Sequence, residues 1–184
     1  MRTRPESTDD AYDARVRRLI LLRHAKSSWD DPDLADVDRP LSARGRTAAR
    51  AMAAHLRAHP VHPDLILCSP SARTRETLAL VAPSLGSVET RFDEALYTFD
   101  AGAALDHLVA TLDDDRVCAL VVGHNPPMGE LAGTLASEGD ALGAVRAKFP
   151  TGALAELELA IESWSALRPG CGRLTTFVRP RDLT

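Results

Sequence analysis

Short apolar runs that do not alternate with polar residues constrain the fold of this 184-residue chain more than any other feature. Residues 19–22, 65–68 and 119–122 contain only apolar side chains. Such runs are typical of strands buried on both faces, as strands are in a parallel sheet. Between the runs, apolar residues recur at helical spacing. This alternation predicts an α/β three-layer sandwich, in which helices flank a mostly parallel sheet.

Periodicity and capping residues set the boundaries of the predicted elements. Ser42 and Asp100 are expected to begin helices, because their side-chain oxygens can accept hydrogen bonds from free amides of the first turn. Ser69 followed by Pro70 resembles a third helix start. Residues 137–151 are expected to be irregular, whereas alternation indicates a half-exposed strand at 153–161 and residues 173–178 a closing edge strand. The other predicted strands are 18–23, 65–68, 88–92 and 117–122, and the predicted helices are 42–59, 70–80, 101–112 and 126–136.

The composition indicates one globular domain and excludes several classes of function. With 45% hydrophobic residues, the chain can bury a substantial core, expected at 17–184 after a disordered polar tail at 1–16. The net charge is -4 and lysines and arginines look dispersed, so no nucleic acid partner is expected. The apolar runs are too short to cross a membrane, and the tail lacks the apolar centre of a secretory signal. Three cysteines without metal-ligand spacing fit a reduced, cytoplasmic location.

Side chains that suit a phosphoryl group follow the three apolar runs. Arg23 and His24 end the first run, Arg73 follows the second, and His124 follows the third. Ligand crevices of open α/β sheets lie at the carboxyl ends of the strands, so we expect these four residues to meet there. Guanidinium groups match phosphate oxygens in charge and geometry. The sequence therefore predicts a phosphoryl-binding pocket.

Each of the four residues has an expected role in phosphoryl transfer. His24 is the expected nucleophile, because a neutral imidazole can attack phosphorus to form a phosphohistidine that water then hydrolyses. Arg23 and Arg73 would bind the phosphoryl oxygens, and His124 would donate a hydrogen bond to one of them. We expect no metal and no other cofactor.

The loop after the first strand is expected to lie over the same crevice. Arg39 could add a contact to the phosphoryl group, and Ser27 could contribute a hydroxyl or an amide. Alternatively, Asp38 and Arg39 form a structural pair that positions the start of the first helix.

Four segments resemble the histidine phosphatase superfamily, which includes the cofactor-dependent phosphoglycerate mutases. They are Arg23-His24-Ala25, Asp38-Arg39-Pro40-Leu41-Ser42 with Gly45, Ser69-Pro70-Ser71-Ala72-Arg73 with Thr77, and Gly123-His124-Asn125-Pro126. Ala25, Lys26 and Asp30 stand where the mutases have Gly, Glu and Asn, and these departures fit a smaller branch that resembles SixA-type phosphohistidine phosphatases. The resemblance implies a phosphoglycerate mutase-like fold and a phosphatase activity. It also implies that Glu94 is the acid that protonates the leaving group, with an ordinary loop carboxylate as the alternative.

The lengths of the connecting segments bear on the substrate. No stretch between Arg73 and His124 is long enough for a large lid, and the segment 137–151 is also short. A pocket without a lid surrounds a small substrate poorly, but it can admit a side chain that projects from another protein. The expected substrate is therefore protein phosphohistidine. A small-molecule phosphomonoesterase and a non-catalytic phosphate-binding module are the alternatives, and the oligomeric state is left open.

Overall fold

The computed structural model describes residues 16–183, so the disordered tail predicted for residues 1–16 lies outside the described residues, apart from Val16. Every predicted strand and helix is present, with ends within two residues of the prediction. The strands are β1 (Arg17–Arg23), β2 (Leu65–Cys68), β3 (Glu89–Phe92), β4 (Cys118–Gly123), β5 (Ala136–Glu138), β6 (Leu154–Leu159) and β7 (Gly172–Val178). The helices are α1 (Ala43–Ala58), α2 (Ala72–Val81), α3 (Ala101–Thr111), α4 (Pro127–Leu135) and α5 (Leu142–Ala147).

The strands form one sheet in the order β3-β2-β4-β1-β6-β7-β5. Neighbours from β3 to β1 are parallel, as are β7 and β5, whereas β6 is antiparallel to both β1 and β7. The predicted mostly parallel α/β sheet is thereby confirmed.

Strand β1 shows why its apolar run does not alternate. Leu19 and Leu21 belong to the core on the side of α3 and α4. Ile20 and Leu22 belong to a second core with Met52 of α1 on the opposite face. Because both faces of β1 are covered, every position needs an apolar side chain. The predicted three-layer sandwich follows from this arrangement.

The three central parallel strands end at the same edge of the sheet. In register, Arg23 of β1 pairs with Gly123 of β4, and Cys68 of β2 pairs with Val122 of β4. The chain beyond each strand therefore leaves the sheet at one level. This register positions residues 24, 69 and 124 as neighbours, as expected at the carboxyl edge.

Two of the three predicted helix caps are confirmed, and the third is wrong. Ser42 accepts a hydrogen bond from the amide of Gly45, and Asp100 accepts one from the amide of Ala103. The N-cap of α2 is Ser71 instead of Ser69, so that helix begins two residues later than predicted. The hydroxyl of Ser69 is directed away from the helix because it bonds to a histidine of the pocket.

The second half of the sheet differs from the prediction in three ways. Residues 137–151 are more regular than expected, since they contain the end of β5 and all of α5. Strand β7 is not an edge strand along its whole length, because β5 pairs with its beginning. Strand β6 is mostly buried between β1 and β7, and only Glu156 and Glu158 on it are partly exposed. Alternation alone could not show that β6 has a neighbour on each side.

The cysteines agree with the reading of them as core residues. Cys68 and Cys118 are buried and unpaired, as predicted, and so is Cys171. Within residues 16–183, no helix has the length and apolar character needed to cross a membrane.

Candidate active site

The segments that follow β1, β2 and β4 bring together His24, His124 and Arg73, which lies in the first turn of α2. Their exposed fractions are 8%, 3% and 1%, so all three are buried polar groups that need partners. The rings of His24 and His124 lie 5.2 Å apart between centroids. The sequence prediction that these residues form one cluster at the carboxyl edge therefore agrees with the geometry.

His24 is held in the tautomer that a nucleophile needs. Its Nδ1 lies 2.7 Å from the carbonyl oxygen of Ala25. Because a carbonyl oxygen only accepts, Nδ1 carries the proton and Nε2 keeps its lone pair. Burial lowers the pKa of His24 to about 4; the bond to Ala25 opposes this shift, and the charges of Arg73 and Arg23 add to it. The imidazole is therefore neutral at neutral pH.

His124 is oriented through both ring nitrogens. Nδ1 lies 3.4 Å from a guanidinium nitrogen of Arg73, and Nε2 lies 2.8 Å from Oγ of Ser69. A guanidinium only donates, so Nδ1 accepts here and Nε2 donates to Ser69. The serine hydroxyl can also donate, and it can therefore support the tautomer in which Nδ1 donates to an incoming oxygen. Burial lowers the pKa of His124 to about 3, and the charges of His24 and Arg73 contribute.

Asp36, which the sequence analysis missed, connects the arginines. Its carboxylate accepts hydrogen bonds from Arg73 at 2.9 Å, from Arg39 at 2.8 Å and from the Tyr97 hydroxyl at 2.6 Å. Its backbone carbonyl accepts another bond from Arg73 at 2.5 Å. The bond from Tyr97, with those from the two arginines, lowers the pKa of Asp36 to about 2. Both guanidinium groups are thus oriented by an ionised carboxylate.

Arg39 joins the loop after β1 to this network. It donates to Oγ of Ser27 at 2.8 Å and to the carbonyl of Ser28 at 3.1 Å. Trp29, which is 71% exposed, forms part of the rim, and its ring centroid lies 3.2 Å from the Arg39 guanidinium carbon. One of the two predicted roles of Arg39 is a structural pair with Asp38. Arg39 does pair with an acidic residue, but that residue is Asp36.

Arg23 lies on the other side of His24. It donates to the carbonyl of Phe149 at 2.7 Å, and burial lowers its pKa.

The loop after β1 is fixed to the start of α1, because the hydroxyl of Ser42 donates to the carbonyl of Lys26. A Cβ atom on Gly45 would lie 2.0 Å from that carbonyl, so only glycine fits there. We call Arg23, His24, Arg39, Arg73 and His124 the phosphoryl pocket.

The chain is similar to several known proteins in sequence and fold. Residues 19–107 match the histidine phosphatase superfamily (branch 1). An uncharacterised protein of Mycobacterium tuberculosis strain H37Rv is 39% identical over 167 residues, which cover 87% of this chain and 100% of the relative. A candidate phosphohistidine phosphatase, SixA from Nakamurella multipartitia, superimposes with a TM-score of 0.76 at 30% identity, covering 90% of this chain and 96% of that one.

A further solved structure, the protein histidine phosphatase SixA complexed with tungstate, has a TM-score of 0.72 at 26% identity and covers 91% of this chain and 99% of that chain. The chain belongs to the histidine phosphatase superfamily. It lies in the SixA-like branch, as the residues after His24 indicated, and its class of activity is that of a phosphatase.

The sequence predicts Glu94 as the general acid of this SixA-like histidine phosphatase, and that role stays a prediction. Glu94 begins the 3-10 turn Glu94–Leu96 after β3, and it is exposed. Among residues 16–183, its carboxylate forms no hydrogen bond or ion pair with His24, Arg73 or His124. The acidic residue that does contact the pocket is Asp36, whose depressed pKa makes it a poor proton donor.

The arrangement suits attack on phosphorus by an imidazole next to fixed positive charge. Arginine donors oriented in advance stabilise the spread negative charge of a phosphoryl transition state without reorganising during the reaction. No group of three or more histidine, cysteine, aspartate or glutamate residues in the described part of the chain is placed to hold a metal ion.

Proposed function

We propose that this histidine phosphatase hydrolyses protein phosphohistidine through a phosphohistidine intermediate on His24. The observation that carries the proposal is the bond from Nδ1 of His24 to the Ala25 carbonyl, which leaves Nε2 unprotonated in a buried pocket beside Arg73. An imidazole held in this way is ready to attack before substrate binds.

The reaction proceeds in two displacements on phosphorus. Nε2 of His24 attacks phosphorus, the bond from phosphorus to the leaving group breaks, and the leaving group keeps that electron pair and takes up a proton. Water then attacks the phosphohistidine and loses a proton, and the bond between phosphorus and Nε2 breaks. The products are inorganic phosphate, the dephosphorylated substrate and free His24. The arginines stabilise the equatorial oxygens in both steps, so no metal is required.

Arg73 has the central role in binding the phosphoryl group. Its guanidinium lies between Asp36 and His124, with one nitrogen bonded to both. His124 would donate to a phosphoryl oxygen from Nδ1, with Ser69 donating to Nε2. Arg23, Arg39 and Ser27 are the further proposed substrate contacts.

The rim of the pocket supports a protein side chain as substrate. Trp29 is 71% exposed and Phe99, whose ring lies 5.6 Å from that of His124, is 56% exposed. Helix α5 belongs to the segment 137–151, which is too short for a large lid, and it packs onto α4 through the buried side chain of Val145 and a bond from Arg146 to the carbonyl of Gly133.

The leaving group also favours phosphohistidine as the substrate. A protonated imidazole leaves more readily than an alkoxide, so phosphohistidine depends least on a general acid such as Glu94. We also expect a cytoplasmic location, since the three cysteines are unpaired.

The test is phosphate release from a phosphohistidine-bearing protein and from a panel of small phosphate esters, with His24→Ala as the control. The proposal predicts faster release from the protein, lost in His24→Ala. Faster release from a small ester, with none from the protein, would instead establish a small-molecule phosphomonoesterase. Release that persists in His24→Ala would exclude His24 as the nucleophile.

A further inference from the structure

A cavity of about 630 Å³ opens beside the phosphoryl pocket, and its lining is strongly basic. Six of its twelve lining residues are lysine or arginine, and no acidic residue lines it within the described part of the chain. The other lining residues are a threonine and small apolar side chains. We call this cavity the basic groove, defined by Arg23, Lys26, Arg44, Lys148, Arg179 and Arg181.

The charged residues that line the groove come from distant parts of the chain. Lys26 lies in the loop after β1, Arg44 in the first turn of α1, Lys148 directly after α5, and Arg179 directly after β7. The whole chain has a net charge of -4, so this concentration of positive charge is local. Lysines and arginines are dispersed along the chain, but the expectation that they are not grouped is wrong for this surface.

Three cations of the groove lack partners among residues 16–183. Lys26, Arg44 and Lys148 are exposed, and their side chains form no hydrogen bond or ion pair with another described residue. Arg179 differs, because Asp182 accepts hydrogen bonds from it at 2.7 and 3.1 Å. Unpaired cations on one surface create a positive potential that attracts anionic partners.

The groove is continuous with the phosphoryl pocket through Arg23. This arginine is the last residue of β1, directly before His24; it lines the groove and donates to the carbonyl of Phe149, the neighbour of Lys148. A substrate whose phosphoryl group reaches His24 therefore has its flanking atoms next to the groove.

We propose that the basic groove binds an acidic peptide segment adjacent to the phosphorylated side chain of a substrate protein. This inference rests on the proposed function, because it names the surroundings of the phosphohistidine that the enzyme selects. Glutamate and aspartate side chains of the segment would pair with Lys26, Arg44 and Lys148. Contacts of this kind raise the association rate and select partners by charge.

The lining favours an acidic peptide over other anions. Small-molecule pockets are lined mainly by apolar and aromatic side chains with a few polar groups, whereas half of this lining is charged and none of it is aromatic. Single-stranded nucleic acids bind through aromatic stacking platforms, which are also lacking among these lining residues. Cations spread over four segments suit several carboxylates in a row better than one additional phosphate.

The first test measures charge preference in catalysis. Two peptides carry one phosphohistidine each, flanked by glutamates in one and by glutamines in the other. With the native protein we expect kcat/KM to be roughly tenfold higher for the glutamate peptide, and the ratio to fall as salt is added. In Lys26→Gln/Arg44→Gln/Lys148→Gln the ratio should fall to about twofold or less.

A matched variant controls for the change in net charge. Arg50→Gln/Arg57→Gln/Arg168→Gln removes three exposed arginines that do not line the groove. It should keep the native ratio. Because each ratio is taken within one variant, a general loss of activity cancels. A ratio near one in the native protein, or an equal ratio in both triple variants, would overturn the proposal.

The second test is independent of catalysis. Fluorescence anisotropy reports binding of labelled, unphosphorylated hexaglutamate and hexaglutamine to the native protein and to both triple variants. Hexaglutamate binding that only the groove variant weakens supports the groove, even if no phosphohistidine peptide is hydrolysed and the proposed function fails. Equal binding by the two variants, or a preference for a short oligothymidylate over hexaglutamate, would overturn it.

Discussion

The phosphoryl pocket and the basic groove share Arg23, but they differ in whether their cationic side chains have acidic partners. In the pocket, Arg39 and Arg73 are buried and both donate to the carboxylate of Asp36. In the groove, Lys26 and Lys148 are exposed and have no partner among the described residues. The pocket is therefore organised before the substrate arrives, whereas the groove acquires its partners from the substrate.

This difference separates chemistry from recognition. Fixed donors stabilise a transition state because they need not reorganise during the reaction. Long, hydrated side chains on an open surface contribute mainly to encounter and selection, and salt screens their effect. Substitutions in the pocket should therefore reduce the rate for every substrate, whereas substitutions in the groove should change the order of preference among substrates.

Arg73→Ala, a substitution in the pocket, should have the largest effect on the rate, and it should affect every substrate. Arg73 is the proposed main donor to the phosphoryl oxygens, so without it kcat/KM should fall by about a hundred- to a thousandfold for esters and phosphohistidine alike. Steady-state kinetics on both substrates measure it. Arg75→Ala is the matched control, because Arg75 is exposed on the same helix and lies over Phe92. Near-normal kinetics for Arg73→Ala would show that another residue binds the phosphoryl group.

Asp36→Ala tests whether the pocket depends on the carboxylate that joins Arg39 and Arg73. Without Asp36, both arginines lose their common anchor, and kcat should fall by roughly ten- to a hundredfold. Asp38→Ala, two residues away and exposed, should remain close to native. If Asp36→Ala were more active than the native protein, the carboxylate would be a competitor of the phosphoryl group and not a support for the arginines.

Acidification should weaken the fold through the pocket histidines. Their pKa values, about 4 for His24 and about 3 for His124, lie below the ordinary value in the unfolded chain. Between those values and about pH 6.5 the unfolded chain binds protons that the folded chain does not, so the free energy of unfolding falls as the pH falls. From near pH 7 to near pH 5 the loss should be on the order of 1–2 kcal/mol per imidazole.

Urea titrations at the two pH values measure this loss. His24→Gln should show a smaller decrease than the native protein, because one of the two groups is gone. His62→Gln, which changes an exposed histidine, should show the native decrease. An unchanged decrease in His24→Gln would mean that His24 is not held neutral by its surroundings.

Glu94→Gln should have the smallest effect on the preferred substrate. If Glu94 protonates the leaving group, turnover of alkyl phosphates should fall about tenfold or more, whereas phosphohistidine should change by less than about twofold. Stopped-flow or coupled phosphate assays on both substrates compare the two. Equal slowing would argue against a role at the leaving group.

The sequence predicted the strand-end residues well because their positions follow from register. Once the runs 19–22, 65–68 and 119–122 are neighbouring parallel strands, the chain must leave the sheet at one edge at His24 and His124. Arg73 lies near the same edge, in the first turn of the helix that follows β2. Apolar runs buried on both faces are among the clearest local signals.

The residues that support the pocket gave no comparable signal. Asp36 lies in a loop without periodicity, and its partners Arg73 and Tyr97 are 37 and 61 positions away. Ser69 fitted the pattern of a helix cap, but tertiary contact with His124 directs its hydroxyl elsewhere. The basic groove draws on four separate segments, so composition along the chain could not show it.

Trapping the phosphoenzyme tests the proposed role of His24 most directly. Native protein is mixed with a phosphate ester, quenched in alkali within the first turnover, and mapped by mass spectrometry. We expect an alkali-stable, acid-labile phosphoryl group on His24 that is absent in His24→Ala. A phosphoryl group on another residue, or full turnover without any phosphoenzyme, would contradict it.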